Sequence, residues 1–259
     1  MRTHHGIDAR RNWKLDADAE TPAHYKRWAQ FHIQLYPYLD AHSAEAEATG
    51  VPIVRALAML APSDDRGWTI ADQYFLGGAL LVAPVIEEGA VSRSVYLPEG
   101  EWVSWDGATR VTGPTDVVVP AAMGELPVFL RKGTCIPRLP SRVETLIDAA
   151  PPTVDLNDVK DERVLFVVPG GASDFLERDG TRYEVVPGDA TSFAENGAAL
   201  PDCASATERG CVDRAGANPV ARLRDGKPLA FPGGSLTIIR PARKYDVEVM
   251  MKEYPVVLY

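Results

Sequence analysis

Arg2, His4 and His5 stand close together at the head of the chain, in Met-Arg-Thr-His-His-Gly, and all five histidines precede residue 43. An arginine beside two imidazoles combines fixed positive charge with hydrogen-bond donors and acceptors, the equipment to hold an anion or the hydroxyls of a sugar. A solvated polar terminus has the same composition, so the residue types alone leave both readings open. The spacing does not match a metal motif such as H-E-x-x-H, and metal ligation is not expected.

Asp8, Asp16, Asp18 and Glu20 crowd the segment that follows. A pair of carboxyl groups can run glycoside hydrolysis, one as acid and one as nucleophile or base. Acidic residues also gather ahead of helices, where they offset the dipole, and the structural role is the expected one here. His32 and His42 fall inside a helical pattern, His32 on its apolar stripe, and read as core histidines. Trp102 and Trp105, in "SRSVYLPEGEWVSWDG", could stack on a sugar, but three residues apart in a strand they point to opposite faces, so at most one is presented. Cys203 and Cys211 enclose a loop-like "ASATERG"; a disulfide there would suit an oxidising compartment, extracellular or periplasmic, and two unrelated thiols fit equally well. No histidine lies near the three cysteines in sequence, which argues against zinc. Nucleophile-elbow, phosphate-loop and dinucleotide motifs are absent.

The elements that must position these residues change in period along the chain. Residues 21–50 predict a long helix, with Thr21 as cap, Pro22 at its first position and Gly50 at its stop. Tyr25, Trp28, His32, Leu35 and Leu39 draw one buried stripe, and Pro37 should kink or split the helix. An amphipathic helix cannot cover such a stripe alone, and the following residues do not obviously supply a partner. After Gly50, short apolar runs broken by Pro, Gly and Asp predict strands: "VPIVRALAML", "QYFLGGALLVAPVI", "SRSVYLP", "EWVSW", "TDVVVP" and "LPVFLRKGTCIP". From about 141 "ERVLFVVPGG", "TRYEVVPG", "GSLTIIRP" and "KYDVEVMM" continue the pattern around a polar stretch, 188–220, expected to be a loop or insertion. Glycine and proline, 21 each, suit many turns. A net charge of −9 without a basic run gives no attraction to nucleic acid or anionic lipid, and no stretch approaches the ~20 apolar residues of a membrane span. No signal peptide is visible.

Residues 68–107, "WTIADQYFLGGALLVAPVIEEGAVSRSVYLPEGEWVSWDG", resemble the proximal C-terminal β domain of glycoside hydrolase family 31, the α-glucosidase and α-xylosidase family. Gln73-Tyr74, the strand from Leu80 to Val85, the Glu88-Gly89 turn and the run from Val95 to Trp102 carry the likeness. "LPVFLRKGTCIP" is similar to the family's next strand, "HYKRWAQFHIQLYPYLDAHSAEAEATGVPIVRAL" to its closing barrel helix, and "MRTHHG" to the Arg-x-His motif at the last barrel strand. "ERVLFVVPGGASDFLERDGTRYEVVPG" resembles its distal domain more weakly.

The resemblance implies a mainly β chain: the end of a (β/α)8 barrel in 1–50, a proximal β-sandwich in 51–140 and a divergent distal β domain with a long loop or insertion in 141–259. It implies that His4 hydrogen-bonds sugar hydroxyls in the −1 subsite and that Arg2 shapes the same rim, at the C-terminal face of the barrel. His5 has no role by the resemblance. The whole enzyme would hydrolyse terminal α-linked sugars of oligosaccharides or glycosides with retention and without a metal or organic cofactor. Its nucleophile motif, W-x-D-M-N-E-like, does not occur here, and the acid/base aspartate is expected upstream of the Arg-x-His motif. Asp8, Asp16 and Asp18 match neither. The chain is therefore expected to need an N-terminal barrel of the same protein and to be inactive alone. Two alternatives stand beside this: a self-standing β-sandwich module for carbohydrate binding or interaction, and an inactive relative with a degraded barrel.

Overall fold

The structure, a computed structural model, describes residues 18–122, 124–240 and 243–251. Arg2, His4, His5, Asp8 and Asp16 lie outside the described residues.

The predicted helix is two helices, α1 (Glu20–Gln34) and α2 (Tyr36–Thr49), broken at Leu35. Pro37 sits in the first turn of α2, where its missing N–H costs no helical bond. Gly50 ends α2 in the left-handed conformation and donates to the Ala46 carbonyl. The expected start is corrected by two residues: Asp18, not Thr21, supplies the capping oxygen, accepting from the Thr21 amide at 2.6 Å and the Thr21 hydroxyl at 3.0 Å. A carboxylate reaches further than a hydroxyl and carries the charge that the helix N-terminus favours.

The run 51–60 is not a strand but the two-residue β1 (Val54–Arg55) followed by the one-turn α3 (Leu57–Leu60). Then come β2 (Tyr74–Leu76), β3 (Leu80–Val82), β4 (Ser92–Ser104), β5 (Arg110–Pro120) and β6 (Val128–Arg131). These build an antiparallel sheet in the order β1-β2-β3-β6-β4-β5. Alternation sorts its side chains. Leu80, Val82, Val103, Val128 and Leu130 point to one core with Leu35 and Tyr38 of the helices; Leu81, Trp102 and Phe129 point to the other. The sheet is thus the partner that the helical stripe requires, chiefly for Leu35 and for Tyr38 of α2. Along α1 no residue is fully buried, and His32, expected in the core, is exposed.

Two polar anchors fix this half. The buried Tyr38 hydroxyl donates to the Leu76 carbonyl at 2.7 Å and accepts from the Ala79 amide at 3.1 Å, gripping the β2–β3 turn. Gly77 in that turn has φ +62, and a Cβ there would meet His42 and the Tyr38 hydroxyl at 2.3 Å, so only glycine fits. Gln73, buried, donates its amide to the Tyr96 carbonyl and accepts from the Tyr96 amide, at 2.6 and 3.0 Å, standing in for a strand neighbour.

The remaining strands are β7 (Cys135–Arg138), then, after the one-turn α4 (Leu156–Val159), β8 (Glu162–Val167), β9 (Ser173–Leu176), β10 (Arg182–Pro187), β11 (Ala194–Glu195), β12 (Ala198–Ala199), β13 (Cys211–Asp213), β14 (Val220–Arg222), β15 (Leu229–Phe231), β16 (Gly234–Ile239) and β17 (Lys244–Val249). They form two sheets, β12-β11-β15-β16-β10-β9 and β13-β14-β17-β8-β7, in which β8 and β17 run parallel and the other pairs antiparallel. One core draws on both sheets, with Tyr183, Leu236 and Ile238 from the first and Leu165, Tyr245 and Val247 from the second. Strand β7, adjacent in sequence to the first sheet, pairs with β8.

The polar stretch 188–220 is therefore not a free loop, since β11 to β13 lie within it. Its two cysteines are bonded: Cys203 joins Cys211, while Cys135 is a buried free thiol whose ionisation burial pushes far up. Closing so short a loop restricts the unfolded chain by about 2–3 kcal/mol. We expect Cys203→Ser with Cys211→Ser to lower unfolding free energy by that amount in urea titration. Thiol titration should find no reactive group in the native protein, one after unfolding without reductant and three after reduction. Three thiols on unfolding alone would contradict the bond.

Candidate functional site

Of the residues singled out for chemistry, the described ones with a resolved role are largely structural. Asp18 is a helix cap, and its hydrogen bond from the Thr21 amide holds its carboxyl below the usual range. His42 is half-buried: Nδ1 lies 2.7 Å from Glu45, Arg55 reaches the same Glu45 oxygen at 2.5 Å, and the ring meets Tyr38 and Phe175 edge-on. Burial outweighs the Glu45 carboxylate and pulls the imidazole below its free value, so His42 is a neutral packing histidine near pH 7. Among the described residues no group of histidine, cysteine and carboxylate side chains could hold a metal. None of the described helices is long and apolar enough to cross a membrane.

The two tryptophans of "EWVSWDG" point to opposite faces of the first sheet, as strand alternation predicts. Trp102 is 1% exposed, its indole N–H donated to the Pro98 carbonyl at 2.8 Å. Strand β4 ends at Ser104, where Asp106 accepts from the Ser104 hydroxyl at 2.5 Å and the Ala108 amide at 2.9 Å. That side-chain turn closes the strand just after Trp105, whose backbone N–H, donated to the Val128 carbonyl at 2.8 Å, continues the β4–β6 ladder. Trp105 is clamped, stacked on Phe166 at 4.8 Å and met by Phe31 of α1 at 4.9 Å and 87°.

Trp105 thereby becomes the floor of an opening between α1 and the first sheet. Two adjoining cavities, of about 220 and 480 Å³, lie between α1 and the first sheet and share Arg27, Trp28, Trp105, Leu126 and Val128. Trp28 is the wall. Its indole N–H is tied to the Gly124 carbonyl at 3.1 Å, which fixes the ring. Its ring neighbours, His24 and Phe31, meet it at 68° and 88°, and no ring stacks on it among the described residues. The Arg27 guanidinium lies 5.4 Å from the ring centre. The rim carries two cations, Lys26 and Arg27, and two carboxylates, Asp106 and Glu125, all on exposed residues. Trp105 was a candidate from sequence. Trp28 was read only as part of the helical stripe, and its place in the opening follows from pairing α1 with loops some 80 and 100 residues away.

Fold and groove together define a mainly β chain with an aromatic, polar-rimmed opening on its helical side. Residues 50–136 match the family model described as the glycosyl hydrolase family 31 C-terminal domain, which takes in most of the stretch that carried the resemblance. Over residues 50–136 the chain carries the C-terminal domain of glycoside hydrolase family 31. It is 37% identical over 147 residues to a sulfoquinovosidase of Agrobacterium fabrum, a match covering 56% of this chain and 22% of that protein. With a sulfoquinovosidase of Escherichia coli it shares 42% over 132 residues, 51% of this chain and 19% of that protein. Among solved structures it resembles a family 31 dextranase of Flavobacterium johnsoniae complexed with glucose, at 29% identity and a TM-score of 0.58, covering 73% of this chain and 24% of that one. The chain thus spans about a fifth of the length of these curated relatives.

Proposed function

We propose that this chain is the C-terminal portion of a retaining α-glycosidase that hydrolyses O-glycosyl bonds of terminal α-linked sugars. In this reading residues 1–50 are the end of a (β/α)8 catalytic barrel, 51–140 a proximal β-sandwich and 141–259 a distal β domain. His4 holds sugar hydroxyls and Arg2 shapes the rim of the same subsite, while the nucleophile and the acid/base come from barrel residues outside the 259. The observation that carries the reading is the family match over 50–136 standing directly behind a helix pair and an Arg-x-His head in the family's order. Two carboxyl groups suffice for such a reaction, so neither a metal nor an organic cofactor is called for. The Cys203–Cys211 bond fits an oxidising compartment, extracellular or periplasmic.

The test is to read the coding sequence upstream of Met1 and to assay the 259-residue chain beside the protein extended by whatever that sequence encodes. Aryl α-glucoside, α-xyloside and α-sulfoquinovoside are the substrates. The chain alone should release no phenol above the buffer rate, because the groups that generate nearly all the rate enhancement are elsewhere. The extended protein should cleave at least one of the three. Hydrolysis by the chain alone would overturn the placement of the catalytic groups outside the 259 residues, and an upstream stop codon with no barrel sequence before it would overturn the proposal in favour of a self-standing binding module.

A further inference from the structure

We infer that Asn196 is a site of spontaneous deamidation in the native protein, and that Asp225 slows the reaction. The inference does not depend on the glycosidase reading, and its test is read on the mass of the chain and not on hydrolysis.

Four pairs in the chain place an asparagine or aspartate before glycine: Asp106-Gly107, Asp179-Gly180, Asn196-Gly197 and Asp225-Gly226. Without a Cβ on the glycine, its backbone nitrogen can approach the preceding side-chain carbonyl carbon and close a five-membered imide. The four pairs differ in whether that nitrogen is already engaged. Gly107 donates to the Ser104 carbonyl at 2.7 Å, Gly180 to the Glu177 carbonyl at 3.0 Å and Gly226 to the Glu195 carboxylate at 3.2 Å. Gly197 donates to nothing among the described residues. A Cβ built on it would meet no atom within 4 Å, so solvent base reaches its N–H.

The fold keeps this pair at an exposed tip. Asn196 and Gly197 form the two-residue loop between β11 and β12, with φ +51 and +81. Two left-handed residues in such a loop make the type I′ turn that Asn-Gly favours. One contact restrains the side chain: Asn196 Nδ2 donates to the Asp225 carboxylate at 2.9 Å. Ring closure has to break that bond, because Cγ must swing onto the Gly197 nitrogen. Asp225 is itself exposed, so the bond slows the reaction and does not prevent it.

The chemistry needs only base and water. Base takes the Gly197 N–H proton, the nitrogen lone pair attacks Asn196 Cγ, and the Cγ–Nδ2 bond breaks with the nitrogen leaving as ammonia. Water then opens the imide at either carbonyl, giving aspartate or isoaspartate. One water is consumed and one ammonia released, with no change of oxidation state. The new carboxylate faces Asp225 where an amide had donated, so attraction becomes like-charge repulsion. An isoaspartate also lengthens the backbone of a turn that sets the β11–β12 register.

The experiment incubates the folded 259-residue chain in mildly alkaline buffer beside the same chain unfolded in guanidinium. Digestion and mass spectrometry, with aspartate and isoaspartate separated by chromatography, follow all four pairs. In the folded chain only Asn196-Gly197 of the four should react, about tenfold slower than in the unfolded chain, where the Asp-Gly pairs isomerise as well. Asp225→Ala should raise the folded rate about 3- to 10-fold, the range of one hydrogen bond, with an unchanged melting curve. If that variant melts early, Asp225→Ser, which keeps a turn-forming side chain, takes its place. The inference is overturned if Asn196 stays intact in the folded chain for about a hundred times its unfolded half-life. It is overturned equally if an Asp-Gly pair reacts first in the folded chain, or if a folded Asp225 variant converts at the parent's rate.

Discussion

Replacing Glu177 by alanine should lower the unfolding free energy by about 3–5 kcal/mol, the cost of breaking a buried ion pair by removing one partner. Glu177 is 5% exposed, at the end of the β9–β10 hairpin. It accepts from Arg163 Nε at 3.1 Å and Nη2 at 3.0 Å, from Arg243 Nη1 at 3.0 Å, and from the Tyr183 hydroxyl. Its loss leaves Arg163, itself 7% exposed, without a counter-charge, and leaves Arg243 to Asp179 alone, at 2.6 Å. Burial and the neighbouring carboxylate keep the Tyr183 hydroxyl protonated, its ionisation pushed far up, so it cannot compensate by charge. The two strands joined by this turn belong to one sheet, and Arg163 to the other, so the damage should reach the shared core. Glu177→Gln keeps shape and an acceptor and should cost less. A double-mutant cycle with Arg163→Ala should return a coupling above about 1 kcal/mol. A Glu177→Ala variant within about 1 kcal/mol of the parent in urea titration would show that the network is dispensable.

Trp102→Ala should cost a similar amount, about 3–5 kcal/mol, by a different physical route. Its indole fills the side of the first sheet that faces away from α1 and α2, 5.9 Å from the Phe75 ring and under the Arg131 guanidinium at 5.1 Å. Truncation opens a cavity in a packed region and strands the Pro98 carbonyl that accepted its N–H. Trp102→Phe keeps most of the apolar area and should lose roughly half as much. Trp28, half-buried on α1, is the contrast: its truncation should cost less stability. Equal destabilisation by Trp28→Ala and Trp102→Ala, measured by the same urea titration, would contradict the division into buried core and half-buried edge.

Several of these features were legible in the sequence because their causes are local. Pro37 and Gly50 mark the split and the end of the helix pair through backbone geometry alone, and alternation in Leu80, Leu81 and Val82 sorts side chains between two cores. The expected disulfide loop closed, one of two readings the spacing allowed. What was missed depends on distant partners or on competition between similar groups. The helix starts early, with Ala19 at its N-cap position, because the Asp18 carboxylate accepts from the Thr21 amide and hydroxyl. The run 51–60 carries strand residues, yet only Val54 and Arg55 find a neighbour, and Leu57 is drawn into the core on a helical turn. Within 188–220 the strands are two or three residues long, too short to show a period, and they are held by pairing with β14 and β15 and by the Glu195 carboxylate accepting three backbone amides from residues 224–226. His32 read as core because its helix shows a stripe, but α1 turns Trp28 and Phe31 toward the sheet and leaves His32 exposed. The groove was hidden for the same reason: its wall, floor and rim come from α1, the β4–β5 turn and the loop before β6, and no window of sequence contains all three. Arg2 and His4, the residues offered for sugar contact, rest on the resemblance and on the proposal built from it.

The measurement that tests the central claim most directly is the configuration of the first sugar released. The extended protein should be mixed with a cleavable aryl α-glycoside and the anomeric proton signals followed by NMR from the earliest time point. The account predicts that the α-anomer appears first and that the β-anomer grows only as mutarotation proceeds. Initial release of the β-anomer, or no release of sugar by the extended protein, would contradict the assignment of this chain to a retaining α-glycosidase.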